Sequence, residues 1–444
     1  MVDRPHNRQR APAAPSMPTE AELLAAMDHS DQDVAAGLAV PLSEILTELD
    51  DASDKLVPPR EAAEDYRRQR QASTAEKNEF ERIDRDQLVA WQEENRDRIV
   101  ALAMQYVGSR DEAESLVDRY AAQIRDLPEV GPHDDLNAVF ILHGLISEIE
   151  DTCRNFNVPT GDGVVFGSLP QEGLEASQLP VMQTETSIIS VSLPFIPFCS
   201  MVSKLLANTL PHKIDSDVIQ VINEPNSVEL NLRSKPHLIK EWTKLIASYA
   251  IRGWPPDNAP LVSLNDGTAL THLHLLRSME LFAVAHEYGH HSLGHGRVTS
   301  SDDQENPTHQ EFQADLFARA ISMDIGSKCN PPNLYALSGT GGVIILGALE
   351  LVHRARAVLT SGEDKIAPRN THPPLSYRIQ MIATLDEEVS SESGEVFGKM
   401  RECFFEIVEI VWSALKPIFE AMYESGIRIE PNSPDVGGWL PLSS

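Results

Sequence analysis

The stretch THLHLLRSMELFAVAHEYGHHSLGH, Thr271–His295, decides the reading of this chain. Leu275, Met279, Phe282 and Ala283 recur at helical spacing, so the segment reads as a helix with a buried stripe. Thr268 or Thr271 is a candidate cap for its start. On that helix His286 and His290 stand one turn apart and project both imidazoles from one face. A tetrahedral zinc asks this of two ligands. Glu287 is rotated roughly 100° from the first histidine, placed to reach a metal-bound water without becoming a ligand. The bland alternative for this HExxH string is a surface helix with clustered histidines. His272, His274, His291, His295 and His309 crowd the same region. The helix turns most of them elsewhere, so they read as exposed or structural. His291 is the one placed to compete for the metal if the helix register were distorted.

A third ligand separates the two readings. A metzincin would carry glycine three residues and histidine six residues after His290, where Leu293 and Gly296 stand. That class is excluded. Instead, 21 residues after His290, comes EFQADLFARAI, Glu311–Ile321, with Phe312, Leu316 and Ala320, and Phe317 and Ile321, at helical spacing. Glu311 heads this second helix and completes a two-His, one-Glu set with an open fourth position. Asp315, one turn later, can accept the spare N–H of a liganding histidine and fix its tautomer. The competing reading is an acidic helix N-terminus favoured by the dipole.

Together these strings resemble the peptidase family of the HtpX heat-shock proteases and the CAAX prenyl proteases. The shared pattern is HExxH at His286–His290, E-x-x-A-D at Glu311–Asp315 and T-H-P-P-x-x-x-R-I at Thr371–Ile379, over about residues 255–385. The resemblance implies one zinc ion per chain held by His286, His290 and Glu311. It gives Glu287 as general base, Asp315 behind a ligand, and His372 near the substrate oxyanion; Arg378 pairs structurally near the acidic helix end. It implies metalloendopeptidase activity on a protein or peptide substrate. Membrane association is implied too, yet no segment reaches the roughly 18 apolar residues that span a bilayer. The longest uncharged stretch, Tyr335–Leu349, is broken by Gly339, Gly341 and Gly342 and reads as a buried helix. The gap between His290 and Glu311 is short for that family and closer to the soluble ImmA/IrrE-type peptidases, which cleave repressor proteins. A regulatory or toxin-type peptidase with residues 1–150 as recognition arm, or a non-catalytic zinc-stabilised scaffold, are the rival functions.

Around this centre the expected fold is α+β and mainly helical: a zincin-type domain with an active-site helix, a small sheet and a helical N-terminal extension. Residues 1–58, rich in Pro, Ala and Asp, read as a disordered tail with short helical patterns at Thr19–Met27 and Leu42–Leu49. A helical region is expected over 59–180, the peptidase domain over 181–425 and a tail over 426–444. The charge-dense 60–98 segment reads as a solvated helix. Leu88–Leu127 and 135–155 read as amphipathic helices, Pro159–Gly173 as loop and Ser187–Leu193 as strand. Val218–Ile222 and Ser227–Leu232 read as a hairpin, His237–Ala250 as helix and Ala259–Leu264 as the edge strand that takes the substrate. With 67 acidic against 37 basic residues, a net charge of −30 repels phosphate backbones, so nucleic acid is excluded as a partner. Four scattered cysteines and no CxxC pair point to a reducing compartment, hence a cytoplasmic location.

Overall fold

A computed structural model describes residues 58–81, 85–127, 130–215, 218–257, 262–264, 266–297, 306–365, 373–388 and 391–430. The chain divides into two units, Met1–Pro58 and Pro59–Ser444. The helical patterns expected at Thr19–Met27 and Leu42–Leu49 lie outside the described residues. The second unit is mainly helical with two small sheets.

Its first five helices are α1 (Pro59–Lys77), α2 (Arg85–Glu94), α3 (Arg96–Ala103), α4 (Arg110–Arg125) and α5 (Leu136–Asn155). Ser109 and Asp135 cap α4 and α5 by accepting from the backbone N–H groups of Glu112 and Ala138. Three strands follow, β1 (Val164–Leu169), β2 (Ala176–Pro180) and β3 (Ser187–Ser192), then α6 (Phe195–Thr209). The hairpin β4 (His212–Asp215) and β5 (Val218–Val221) leads to α7 (Pro225–Ser234) and α8 (Pro236–Arg252). The metal-motif helices are α9 (Asp266–Ser292) and α10 (Pro307–Lys328). Short α11 (Leu334–Leu337), α12 (Thr340–Ser361), α13 (Leu375–Ala383), a 3-10 turn (Thr384–Glu388) and α14 (Ser391–Glu424) complete the order.

Helix α9 is the axis, packing on α5, α6, α10, α12 and the sheet. The expected stripe is buried, but so are Leu281, Val284, Ala285 and Tyr288, so the helix is enclosed rather than half-exposed. Thr268 and Thr271 lie within α9, and Thr271 donates to the Gly267 carbonyl instead of capping. The glycines of the uncharged Tyr335–Leu349 stretch have a packing cause. A Cβ on Gly341 would meet the Ser278 carbonyl oxygen at 2.3 Å, and one on Gly342 the Phe282 ring at 2.6 Å. Two missing methyls thus let α12 lie against α9. Among the described residues, no helix is long and apolar enough to cross a membrane.

The three-stranded sheet has the order β1-β3-β2, with β1 parallel and β2 antiparallel to β3. Pro180 pairs with Ser187, so the division expected after residue 180 falls inside a hairpin. Strand β1 arises where a loop was expected. Its Gly167 misled the reading: a Cβ there would meet Arg67 Nη1 at 2.0 Å, so the glycine admits a guanidinium against the strand. Arg67 and Gln71 belong to an inward row of α1 with Ala63 and Ala75, which corrects the expectation of a solvated charge run. Burial of that arginine is tolerated because Glu64 and Asp134 neutralise it at 2.7–3.0 Å.

The hairpin expected over 218–232 is half right. Val218–Val221 is a strand, but it pairs backward with His212–Asp215. Ser227–Leu232 lies in α7, because Pro225 at its first turn presets φ and Val228 and Leu232, four apart, bury together. Val262–Leu264 is not a strand, and residues 258–261 lie outside the described residues.

Candidate metal centre

Helices α9 and α10 approach closely because Gly289 faces α10. A Cβ there would stand 3.1 Å from Phe317 Cβ and 3.2 Å from Ala314 Cα. That contact sets Glu311 opposite the histidine pair. The structure brings His286, His290 and Glu311 together as one group whose ligand atoms lie within 4.8 Å of one another. Nε2 of His286 is 3.1 Å from Nε2 of His290. The two Glu311 oxygens lie 3.4 Å from the first nitrogen and 3.5 Å from the second. A tetrahedral ion with bonds of about 2.0–2.1 Å sets its donor atoms about 3.3–3.4 Å apart. The donor spacing and the two-imidazole, one-carboxylate chemistry therefore fit a divalent ion.

Behind the donors each ring is held. Asp315 Oδ1 accepts from His286 Nδ1 at 3.0 Å. From α13, Arg378 grips the same carboxylate with Nε at 2.7 Å and Nη2 at 2.6 Å. Burial alone would raise the Asp315 carboxyl, but the Arg378 charge and hydrogen bonds, with His286, hold it below its usual range. Arg378 also acts on Glu311 and Glu287. Burial works against a charge on His286, yet the bonds to Asp315 and Glu311 raise it to about 9. His290 is lowered to about 3, first by burial and then by the charge of His286. The ion-free pair thus carries one positive charge, on His286, and His290 is a neutral imidazole.

Glu287 is buried, at 4% exposure. It occupies the α9 face between the His286–His290 row and His291. His291 does not join the donor group. Its Nε2–H donates to the Thr160 carbonyl, so its Nδ1 must accept from the Ser187 hydroxyl, which in turn accepts from Gln178. His272 is buried as well, bonded to Ser203 and lowered to about 4 by burial and by Lys204. His309 is exposed and His274 half-buried.

The residue whose contact with the centre helical reasoning did not reveal is His295. It is 5% exposed, with Nδ1 2.9 Å from Nδ1 of His290 and Nε2 2.8 Å from Gln313 Oε1. The sequence signal was Gly294, whose φ of 74° ends the helix and folds the next residue back. His372, expected at the oxyanion, lies outside the described residues.

A scan against models of known protein families finds no match for this chain, and neither do searches of curated proteins and of solved structures.

Proposed function

We propose that this protein is a zincin-type metallopeptidase that hydrolyses peptide bonds at the His286–His290–Glu311 centre. The observation that carries this reading is the convergence of three donor atoms at tetrahedral spacing, with Glu287 on the next position of the same helix. A structural zinc site takes four protein ligands, whereas a catalytic one keeps a position open. Only three converge here among the described residues. The likeness to HtpX-type peptidases, read from three ordered strings, supports the same chemistry.

A divalent ion held there would supply Lewis-acid polarisation and a more acidic water. The chain's own work is proton handling and orientation. Glu287 takes a proton as water oxygen bonds to the peptide carbonyl carbon, then returns it to the nitrogen as the C–N bond breaks. Asp315 and Arg378 keep His286 turned with Nε2 toward the donor cluster.

The substrate edge moves from the expected Ala259–Leu264 to β2. Glu175 O accepts from Ser192 N, and Val181 N donates to Thr186 O. By antiparallel alternation Ser177 and Leu179 also turn to β3, so Ala176, Gln178 and Pro180 present their backbone groups to the outer edge. Strand β2 packs on α9, and Gln178 reaches through Ser187 to His291, beside His290. An extended peptide added there lies along the metal helix, and a proline suits such an edge.

Glu287→Gln tests the reading. Zinc content should match the parent, and cleavage of a fluorogenic peptide library should fall by about 10²–10⁴. Turnover that survives in this variant, or a parent that binds no divalent ion, overturns it.

A further inference from the structure

We propose that His295 is a positioning residue for His290: it locks that ring in the tautomer that turns Nε2 to the metal. The inference rests on the metal-centre reading above and adds a residue that the HExxH pattern does not contain.

The backbone itself delivers this histidine. His295 N donates to the His290 carbonyl at 2.9 Å and Gly294 N to the His291 carbonyl at 3.1 Å. These are the paired bonds of a Schellman cap, with Gly294 in the left-handed region. In such a cap the residue after the glycine returns to the third residue from the helix end. That position is His290, so the two rings meet with centroids 5.0 Å apart.

Hydrogen-bond directions then leave one arrangement. Gln313 offers its carbonyl oxygen, which only accepts, so His295 donates from Nε2. A neutral imidazole donating from one nitrogen accepts at the other. His295 Nδ1 therefore accepts from His290 Nδ1–H, and the lone pair of His290 sits on Nε2, facing Glu311. The parallel with His286 is close. There Asp315 accepts from Nδ1 and leaves Nε2 for the cluster. Gln313 and Asp315 flank Ala314 on α10, two and four residues after the ligand Glu311. One helix thus supplies the carboxylate donor and braces both imidazoles, one directly and one through His295.

The test measures Zn²⁺ affinity of the full chain against a chromophoric chelator. It adds the visible spectrum of the cobalt-substituted protein and the melting profile of the ion-free chain. His295→Phe keeps a ring but removes both nitrogens, and should weaken Zn²⁺ binding by roughly 10- to 100-fold and alter the cobalt bands. His295→Asn keeps an acceptor near the Nδ1 position and should recover most of the affinity. Gln313→Leu, at a half-buried residue that leaves the core intact, should show the smaller loss and gives an answer even where His295→Phe folds poorly. A filler role would lower the ion-free melting point and give no rescue by asparagine. Zinc affinity within twofold of the parent in His295→Phe and Gln313→Leu overturns the proposal, as does asparagine as weak as phenylalanine. A parent that binds zinc yet shows no effect of these changes removes only this inference. A parent that binds none removes the metal-centre reading.

Discussion

Two buried aspartates, Asp134 and Asp315, sit in this fold with nearly the same neighbours and opposite consequences. Each is at most 1% exposed and each is gripped at both oxygens by an arginine that is 3% exposed. Around Asp134 the hydrogen bonds run inward to the carboxylate. Arg67 also bonds Glu64, while Gln71, Gly131 N and Ser168 N donate to the same carboxylate at 2.6–3.0 Å. Every link ends on protein, and the cluster ties α1 to β1. Around Asp315 the links run outward through His286 to its other nitrogen, which meets His290 and Glu311 in a group of converging donors. Buried charge is therefore no sign of chemistry by itself. The informative feature is a polar network that terminates in lone pairs aimed at a common point.

Four measurements can break or sharpen this contrast. Arg67→Met leaves a buried carboxylate without its cation and should cost about 3–5 kcal/mol of unfolding free energy, with zinc affinity unchanged. A matching fall in zinc affinity would erase the distinction. Asp315→Asn should weaken zinc by roughly 10- to 100-fold, about 1.4–2.7 kcal/mol, because an amide can present its N–H to the ring and favour the wrong tautomer. Chelator competition reads it.

The pH dependence follows from His286, raised to about 9 in the ion-free chain. Its unfolded value is near 6.5. Its proton therefore stabilises the ion-free fold fully below about pH 6.5, and that contribution disappears as pH rises through 9. A divalent ion competes for the same nitrogen, so zinc affinity should climb about tenfold per pH unit between pH 7 and 9 and then level. A flat profile would mean that the site holds no proton to displace. The smallest effect belongs to the sheet edge. Compared with Gln178→Ala, which already loses the side-chain bond to Ser187, Gln178→Pro removes an outward N–H without touching the backbone ladder to β3. It should raise KM for an extended peptide by about tenfold, the worth of one hydrogen bond, with kcat and zinc content unchanged.

The metal strings were legible because helix periodicity is a reliable ruler inside a helix. It placed His286 beside His290 on α9, and Glu311 beside Asp315 on α10. The ruler stops where the backbone leaves the helical region. His295 lies one residue beyond Gly294, and a side chain there points where the cap turns it, so helical angle gave no contact between it and His290. Burial misled for a different reason. Arg67 and Gln71 looked solvated because a charged residue's environment depends on distant partners, here Asp134 and Ser168. Gly167 looked like loop for the same cause, since the strand's need for a glycine is set by the guanidinium above it. The hairpin expected over 218–232 failed because Pro225 between its two segments opens a helix, α7.

Arg378 stands 63 positions after the aspartate it neutralises and 92 after His286. A ribosome that has released α9 and α10 has exposed all three donor residues, but not the cation that holds Asp315 ionised beneath the first imidazole. The donors can be assembled early, yet their alignment waits for α13. Timing is thus built into the order of the chain: a nascent chain of this design gains a properly braced donor group only after most of its body has been made.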